Sequence, residues 1–195
     1  SIQNFYDEKG IIDTAGKKIA IFVLENFKNI FEKEVLIICG KGNNGNEGLV
    51  AHNYLKEYGV NSKFFLPFKN FGDSWVYDDY NILKCDLVTN LKSNDYIIID
   101  ALFGIGFNSK INRYFKNIIN WCNDSKDVVS IDLPSGLDTS TGNICEVCVF
   151  AKFTITMGYP KIGLLINQGI EYSGKDPFKK HGDKVGDYNI ENKII

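Results

Sequence analysis

Residues 34–58 read EVLIICGKGNNGNEGLVAHNYLKEY, and this stretch decides what kind of fold the chain adopts. Its first part, Glu34–Cys39, is an almost unbroken apolar run, which is typical of a strand buried on both faces of a sheet. A loop rich in glycine and asparagine follows over Gly40–Gly48, and Leu49–Tyr58 then shows the apolar spacing of a helix. The stretch therefore predicts a buried strand, a polar loop and a helix, as in a βαβ unit.

Strands and helices alternate along the rest of the chain. Further strands are predicted at Asn61–Pro67, Asp95–Asp100, Asp127–Ile131 and Phe153–Met157, and further helices at Ile11–Phe27, Ser74–Lys84 and Ile111–Asn123. Alternation of this kind predicts right-handed crossovers and a mainly parallel sheet with helices on both faces. We therefore expect a Rossmann-like, three-layer α/β/α sandwich. The 195 residues suit one domain, 1–195, with a polar tail over 171–195 that is partly loop.

Composition narrows the class of protein. The net charge of -2 gives no bulk attraction to nucleic acid or to an acidic membrane, and no apolar run is long enough to cross a bilayer. The five cysteines are odd in number and irregularly spaced, which indicates reduced thiols in a reducing compartment. We expect a cytoplasmic or mitochondrial protein that binds a small molecule and neither nucleic acid nor membrane.

Three polar elements each follow a predicted buried strand. The first is the loop Gly40–Gly48, the second runs from Asp100 to Lys110, and the third runs from Ser130 through Asp132 to Asp138. Ligands of open α/β sheets bind beyond the carboxyl ends of the strands, so we expect Gly40, Asp100 and Asp132 at the same edge of the sheet. A single carboxylate there is often a turn former, but two of them suit a hard cation or acid–base chemistry.

The glycine-rich loop is open to two interpretations. It is either a plain turn between a strand and a helix or a site where the backbone closely approaches an anionic ligand at the start of a helix. Four glycines and three asparagines in Gly40–Gly48 exceed what a turn needs, which favours the ligand site. The loop lacks the spacing of a P-loop and that of the dinucleotide-binding glycine fingerprint, which makes a Rossmann dehydrogenase a weaker alternative.

Five segments carry a resemblance to a known family. They are IIDTAGKKIA (11–20), GKGNNGNEGLVAHNYL (40–55), IIIDALFGIG (97–106), VVSIDLPSGLDTSTG (128–142) and FTITMGYPKIGLL (153–165). In the same order along the chain, they resemble the motifs of the YjeF N-terminal domain family, among them G-x-G-N-N-G-G-D-G and V-D-A-L-F-G-T-G. The resemblance spans residues 11–165.

The resemblance implies a function and a site. The family's main enzymes are NAD(P)H-hydrate epimerases, which interconvert the R and S forms of hydrated NADH or NADPH, and we also expect a homodimer. A potassium ion is implied as cofactor, with side-chain ligands that fall by motif on Asn44, Asp100 and Ser135. The implied substrate contacts are Asn43, Asn44, Gly45, Asn46, Glu47, Gly104, Ile105, Gly106, Phe107, Asn108, Ser109, Lys110 and Asp132.

Two adjacent residues depart from the family pattern. Asn46 stands where the family has a second glycine, and Glu47 stands where it has aspartate. Asparagine tolerates a left-handed backbone, which we expect to preserve the loop, whereas glutamate moves the carboxylate by one methylene. The leading helix also has Thr14 where asparagine is usual.

Two carboxylates are the candidates for catalysis. Asp132 is the first, with the orientation of a ribose hydroxyl as its alternative role. Glu47 is the second, and its alternative role is that of an acid favoured by the positive end of a helix. Lys110 is the expected partner of a phosphate, or else a solvated surface lysine.

Non-catalytic roles are the competing interpretation. A related domain in the enhancer-of-decapping protein dimerises as a scaffold, and lipoprotein or protein binding is known elsewhere in the family. The departures at Asn46 and Glu47 favour the scaffold slightly. The retained residues favour the enzyme; they are Asn44, Asp100, Asp132 and Ser135.

Overall fold

Five parallel strands form one sheet in the structure, a computed structural model that describes residues 8–68, 87–105, 110–156 and 158–174. The strands are β1 (Glu34–Cys39), β2 (Ser62–Phe65), β3 (Tyr96–Ala101), β4 (Val128–Ile131) and β5 (Phe153–Ile155). They lie in the order β2-β1-β3-β4-β5, and each neighbouring pair is parallel. Strand order reverses between β1 and β3, so the crevice that binds ligands in such sheets is expected above their carboxyl ends.

Helices cover both faces of the sheet. They are α1 (Glu8–Asn26), α2 (Asn43–Glu57), α3 (Leu87–Asn90), α4 (Arg113–Asn123) and α5 (Gly169–Tyr172). Alternate residues of β1 point to opposite faces, where Ile37 joins the apolar core formed with α1 and α2, and Ile38 joins the core formed with α4. The predicted three-layer α/β/α sandwich is therefore confirmed.

The beginning of α2 differs from the sequence prediction. The helix starts at Asn43, so most of the predicted loop Gly40–Gly48 is helical. Gly48 explains why glycine occurs inside this helix, because a Cβ there would lie 2.9 Å from the Cβ of Ala101 and 3.0 Å from a methyl group of Ile37. Its role is to let α2 approach the sheet closely rather than to form a turn.

The other predicted elements are found with ends shifted by a few residues. The segment predicted as a helix over Ser74–Lys84 lies outside the described residues, and so does the tail after residue 174. The beginning of the predicted tail is helical, because α5 extends to Tyr172. Among the described residues, no helix has both the length and the apolar character needed to span a membrane.

Candidate functional site

The three polar elements meet at one edge of the sheet. Gly40 directly follows β1, and its N–H donates to the carbonyl oxygen of Ala101 at 2.8 Å. Asp100, one residue from the end of β3, pairs with Ile38 on one side and Ser130 on the other. Asp132 directly follows β4. The expectation that Gly40, Asp100 and Asp132 share the carboxyl edge is therefore confirmed.

Asp100 is a buried hydrogen-bonding centre at this edge. Its Oδ1 accepts from the Ser135 hydroxyl at 2.6 Å and from the Leu102 N–H at 3.3 Å. Its Oδ2 accepts from the Ser130 hydroxyl at 2.8 Å and from the Ser135 N–H at 2.9 Å. Burial raises the pKa of Asp100, although all four hydrogen bonds act in the opposite direction. The carboxylate thus fixes the loops after β3 and β4 to each other.

Asn44 links the start of α2 to the same loops. Its side-chain nitrogen lies 3.0 Å from the carbonyl oxygen of Ile131 and 3.4 Å from that of Phe103. The N–H of Phe103 in turn donates to the Ser135 hydroxyl at 2.9 Å. Asn44, Asp100 and Ser135, the three side chains implied as potassium ligands, therefore belong to one connected hydrogen-bond network.

The chemistry of this network fits a large monovalent cation. It offers a side-chain amide, a hydroxyl and a carboxylate, with two backbone carbonyls directed at the Asn44 amide, and neutral carbonyl oxygens are typical ligands for potassium. Rotation of the Asn44 amide by a half-turn would present its oxygen in place of its nitrogen. Gly104 packs against this amide, since a Cβ there would lie 2.9 Å from it.

Glu47 is buried near Asp132, which lies in the loop after β4. It is the fifth residue of α2 and only 7% exposed, so it does not lie in the first helical turn, where an acid would gain most from the helix dipole. Among the described residues, its Oε2 has no hydrogen-bond partner. Burial raises the pKa of Glu47 to about 7; the negative charge of Asp132 adds to the rise and the positive charge of Lys161 opposes it. Glu47 therefore gains and loses its proton near neutral pH.

Asp132 occupies an unusual backbone conformation. Its φ of 69° lies in the left-handed region, which aspartate tolerates better than most residues. Its N–H donates to the carbonyl oxygen of Ile155 at 2.7 Å, which ties the residue to the end of β5. Asp132 is only 5% exposed, and its carboxylate forms an ion pair with Lys161. The hydrogen bond and the ion pair hold Asp132 at the carboxyl ends of β4 and β5.

Lys161 is the site residue that the sequence analysis missed. Its ammonium donates to Oδ1 of Asp132 and to the Thr156 hydroxyl at 3.2 Å, and its side chain is 16% exposed. The residue lies in the segment FTITMGYPKIGLL, directly after Pro160. Its position in that shared motif is the signal that could have identified it, but the pairing with Asp132 follows only from the fold.

A cleft of about 550 Å³ opens beside this cluster. The predicted substrate residues Asn43, Asn44, Gly104, Ile105 and Lys110 line it, together with Lys41, Gly42, Phe68, Leu102, Phe103, Asn112 and Phe115. Glu47, Asp132 and Lys161 do not line it, although Asn44 and Phe103 border both the cleft and the hydrogen-bond network. The predicted contacts Gly106–Ser109 lie outside the described residues.

Two further predicted substrate residues have structural explanations. Gly45 is buried, and a Cβ there would collide with the carbonyl oxygen of Gly40. Asn46 lies in the first turn of α2, where its N–H donates to the carbonyl oxygen of Gly42 at 3.2 Å. The expectation of a left-handed backbone at Asn46 is therefore wrong, and the ordinary helical conformation explains why this position accepts a residue other than glycine.

Comparison with known proteins identifies relatives of this chain. The family described as YjeF-related protein N-terminus matches residues 8–163. The NAD(P)H-hydrate epimerase of Entamoeba histolytica is 33% identical over 169 residues, which cover 84% of this chain and 76% of that protein. The NAD(P)H-hydrate epimerase of Elusimicrobium minutum is 33% identical over 180 residues, which cover 82% and 79%.

Longer relatives and a solved structure also match. The bifunctional NAD(P)H-hydrate repair enzyme Nnr of Dictyoglomus turgidum is 29% identical over 181 residues, or 85% of this chain but 34% of that protein. The chain thus spans about a third of the length of such bifunctional relatives. The crystal structure of yeast ynu0, YNL200c, has a TM-score of 0.70 and 25% identity, and the match covers 83% of this chain and 75% of that one. The sequence, fold and family match show that this chain belongs to the family of YjeF-related protein N-termini.

Proposed function

We propose that the chain is an NAD(P)H-hydrate epimerase, which interconverts the R and S forms of hydrated NADH and NADPH. The observation that carries this proposal is the cluster of Glu47, Asp132 and Lys161 at the carboxyl edge of the sheet, beside a nucleotide-sized cleft. Relatives named NAD(P)H-hydrate epimerase, at 33% identity over most of both chains, support the same conclusion.

The chemistry requires a proton donor beside a carbon that carries a hydroxyl group next to a ring nitrogen. When the C–O bond breaks, the oxygen takes a proton and leaves as water, and the ring nitrogen shares its electron pair with the carbon. Water then returns to the other face of the ring and gives up a proton. Glu47 is suited to supply and retake that proton, because its pKa of about 7 lets it exchange near neutral pH.

Asp132 has a different part in the proposed reaction. Two carboxylates in unlike environments take unlike roles, and Lys161 stabilises the negative charge on Asp132. A fixed negative charge stabilises the positive ring that remains when the hydroxyl leaves. The hydrogen bond from the Asp132 N–H to the Ile155 carbonyl oxygen fixes the position of the backbone, and such placement requires a fixed backbone.

The remainder of the substrate is proposed to occupy the cleft. The first turn of α2, from Asn43, presents backbone N–H groups and the positive end of the helix to the substrate's phosphates. A potassium ion held by Asn44, Asp100 and Ser135 would supply positive charge and fix the loops around the substrate. The homodimer implied by the resemblance is part of the proposal and is tested by sedimentation of the purified chain.

The decisive experiment is a coupled assay. The protein is incubated with the R form of hydrated NADH, together with a dehydratase specific for the S form, and NADH is followed by absorbance in the presence of potassium. A rate well above spontaneous epimerisation supports the proposal, and Glu47→Gln is expected to remove it. If the unmodified protein gives only the spontaneous rate, the non-catalytic scaffold is the better interpretation.

A further inference from the structure

The described lining of the cleft is positively charged although the chain as a whole is not. Lys41 and Lys110 line it, and none of its described lining residues is Asp or Glu, while the net charge of the chain is -2. The two lysines differ in their surroundings. Lys110 acts electrostatically on Glu146, which also pairs with Lys116, so part of its charge is compensated. Among the described residues, Lys41 has no ion pair with a carboxylate.

An aromatic wall lies next to Lys41. Phe68 and Phe115 pack with their ring centroids 4.9 Å apart, and Phe103 and Phe115 pack edge to face at 5.3 Å. The ammonium group of Lys41 lies 5.1 Å from the centroid of the Phe68 ring. A planar base that packs against this wall would therefore place its own sugar within reach of the Lys41 ammonium.

We propose that Lys41 binds the 2′-phosphate of an adenosine whose base packs against Phe68 and Phe115, so that the site prefers hydrated NADPH to hydrated NADH. The proposal rests on the proposed function for the identity of the substrate. The two substrates differ only in that phosphate. A lysine beside the base, with no ion pair to a carboxylate among the described residues, is suited to recognise it.

The position of the acid–base cluster agrees with this arrangement. Glu47, Asp132 and Lys161 lie outside the cleft lining, beyond Asn44, so the reacting ring is placed at that end. The pyrophosphate then meets the start of α2, and the adenosine extends along the cleft toward Phe68.

Binding of fragments tests the proposal without any need for catalysis. Adenosine 2′,5′-bisphosphate and adenosine 5′-monophosphate are titrated into the full chain by calorimetry at low salt. The bisphosphate is expected to bind more tightly, and Lys41→Gln to weaken it by about 5- to 10-fold while leaving the monophosphate unchanged. Lys41→Arg should retain the preference. Lys18→Gln is the matched control, because it removes the same charge from an exposed position outside the cleft.

Two further experiments distinguish failure of the role proposed for Lys41 from failure of the proposed function. Phe68→Leu should weaken both fragments equally, since it alters the surface for the base and not the charge. In the coupled assay, Lys41→Gln should lower kcat/KM for hydrated NADPH by the same 5- to 10-fold and leave hydrated NADH unchanged. Equal binding of the two fragments to the unmodified protein, or equal weakening of both by Lys41→Gln, overturns the proposal. If neither hydrate is epimerised, the proposed function fails while the fragment result still decides the role of Lys41.

Discussion

Lys161 and Asp132 form an ion pair at the carboxyl edge of the sheet although they lie 29 positions apart in sequence. β5 makes this pairing possible, because it lies next to β4 and the chain after it brings Lys161 to the same edge of the sheet as Asp132, which directly follows β4. The two charges act on Glu47 in opposite directions, since Asp132 raises the pKa of Glu47 and Lys161 lowers it. The three side chains therefore form one electrostatic unit, and each can be tested through its effect on another.

Replacing Lys161 by glutamine should slow epimerisation and shift its pH dependence. The substitution leaves the Asp132 carboxylate largely buried without its cation and removes the charge that lowers the pKa of Glu47. We expect kcat/KM to fall by about 10- to 100-fold, the scale of one charged hydrogen bond. The decline in rate at high pH, which follows the loss of the Glu47 proton, should move to higher pH. Lys161→Arg keeps the charge and should restore much of the rate; a variant with normal rate and an unshifted profile would disprove the role.

Replacing Asp132 by asparagine should shift the pH dependence of epimerisation to lower pH. Asparagine also tolerates the left-handed backbone, so the loop is expected to keep its shape. Removal of the negative charge lowers the pKa of Glu47, and the decline in rate should therefore begin at lower pH. The loss of a positioned charge that stabilises the positive ring is expected to cost about 100- to 1,000-fold in kcat. Circular dichroism checks that the variant folds, and a full rate with Asp132→Asn would refute the catalytic assignment.

Sequence patterns predicted the sheet because its central strands β1, β3 and β4 are short apolar runs, with Gly40, Asp100 and Asp132 at their carboxyl ends. They failed at the start of α2, where Gly45 and Gly48 suggest a loop but serve close packing inside a helix. They also missed Lys161, because its place in the shared motif does not reveal its partner, which is set by the order of the strands. Periodicity thus located the elements, whereas contacts between distant segments required the fold.

Replacing Asp100 by asparagine should destabilise the fold even when no potassium is present. The four groups that donate to Asp100 include the backbone N–H groups of Leu102 and Ser135, one on each carboxylate oxygen. An asparagine NH2 must face one of them, which leaves a buried donor unsatisfied at a cost of about 1–3 kcal/mol, in addition to the weaker remaining bonds. We expect a loss of about 2–4 kcal/mol in the free energy of unfolding, measured by urea denaturation in sodium buffer.

The matched control for Asp100 is Ser130→Ala, which removes a single side-chain donor to the same carboxylate. It should cost about 1 kcal/mol, the typical value for one hydrogen bond. If Asp100→Asn were as stable as the unmodified protein without potassium and less stable only with it, the carboxylate would act through the cation alone. The hydrogen-bond network would then not be the reason that the two loops are held together.

Glu47 should make the whole protein less stable as the pH rises through neutrality. Its pKa is about 7 in the folded protein, well above the ordinary value of 4.5, so the folded state binds the proton more tightly than the unfolded chain does. The stability that the protonated side chain contributes is fully present below about pH 4.5 and is lost as the pH rises through about 7, and the full shift corresponds to about 3 kcal/mol. Glu47→Gln cannot lose a proton and should not show this loss.

Urea denaturation at pH 5 and pH 8 measures the difference: the unmodified protein should lose about 2–3 kcal/mol more than the variant between the two pH values. Glu57→Gln makes the same change at an exposed position of α2 and should behave like the unmodified protein. If Glu47→Gln and Glu57→Gln have the same pH dependence, Glu47 is not protonated near neutral pH, and its role as the proton donor in epimerisation is wrong.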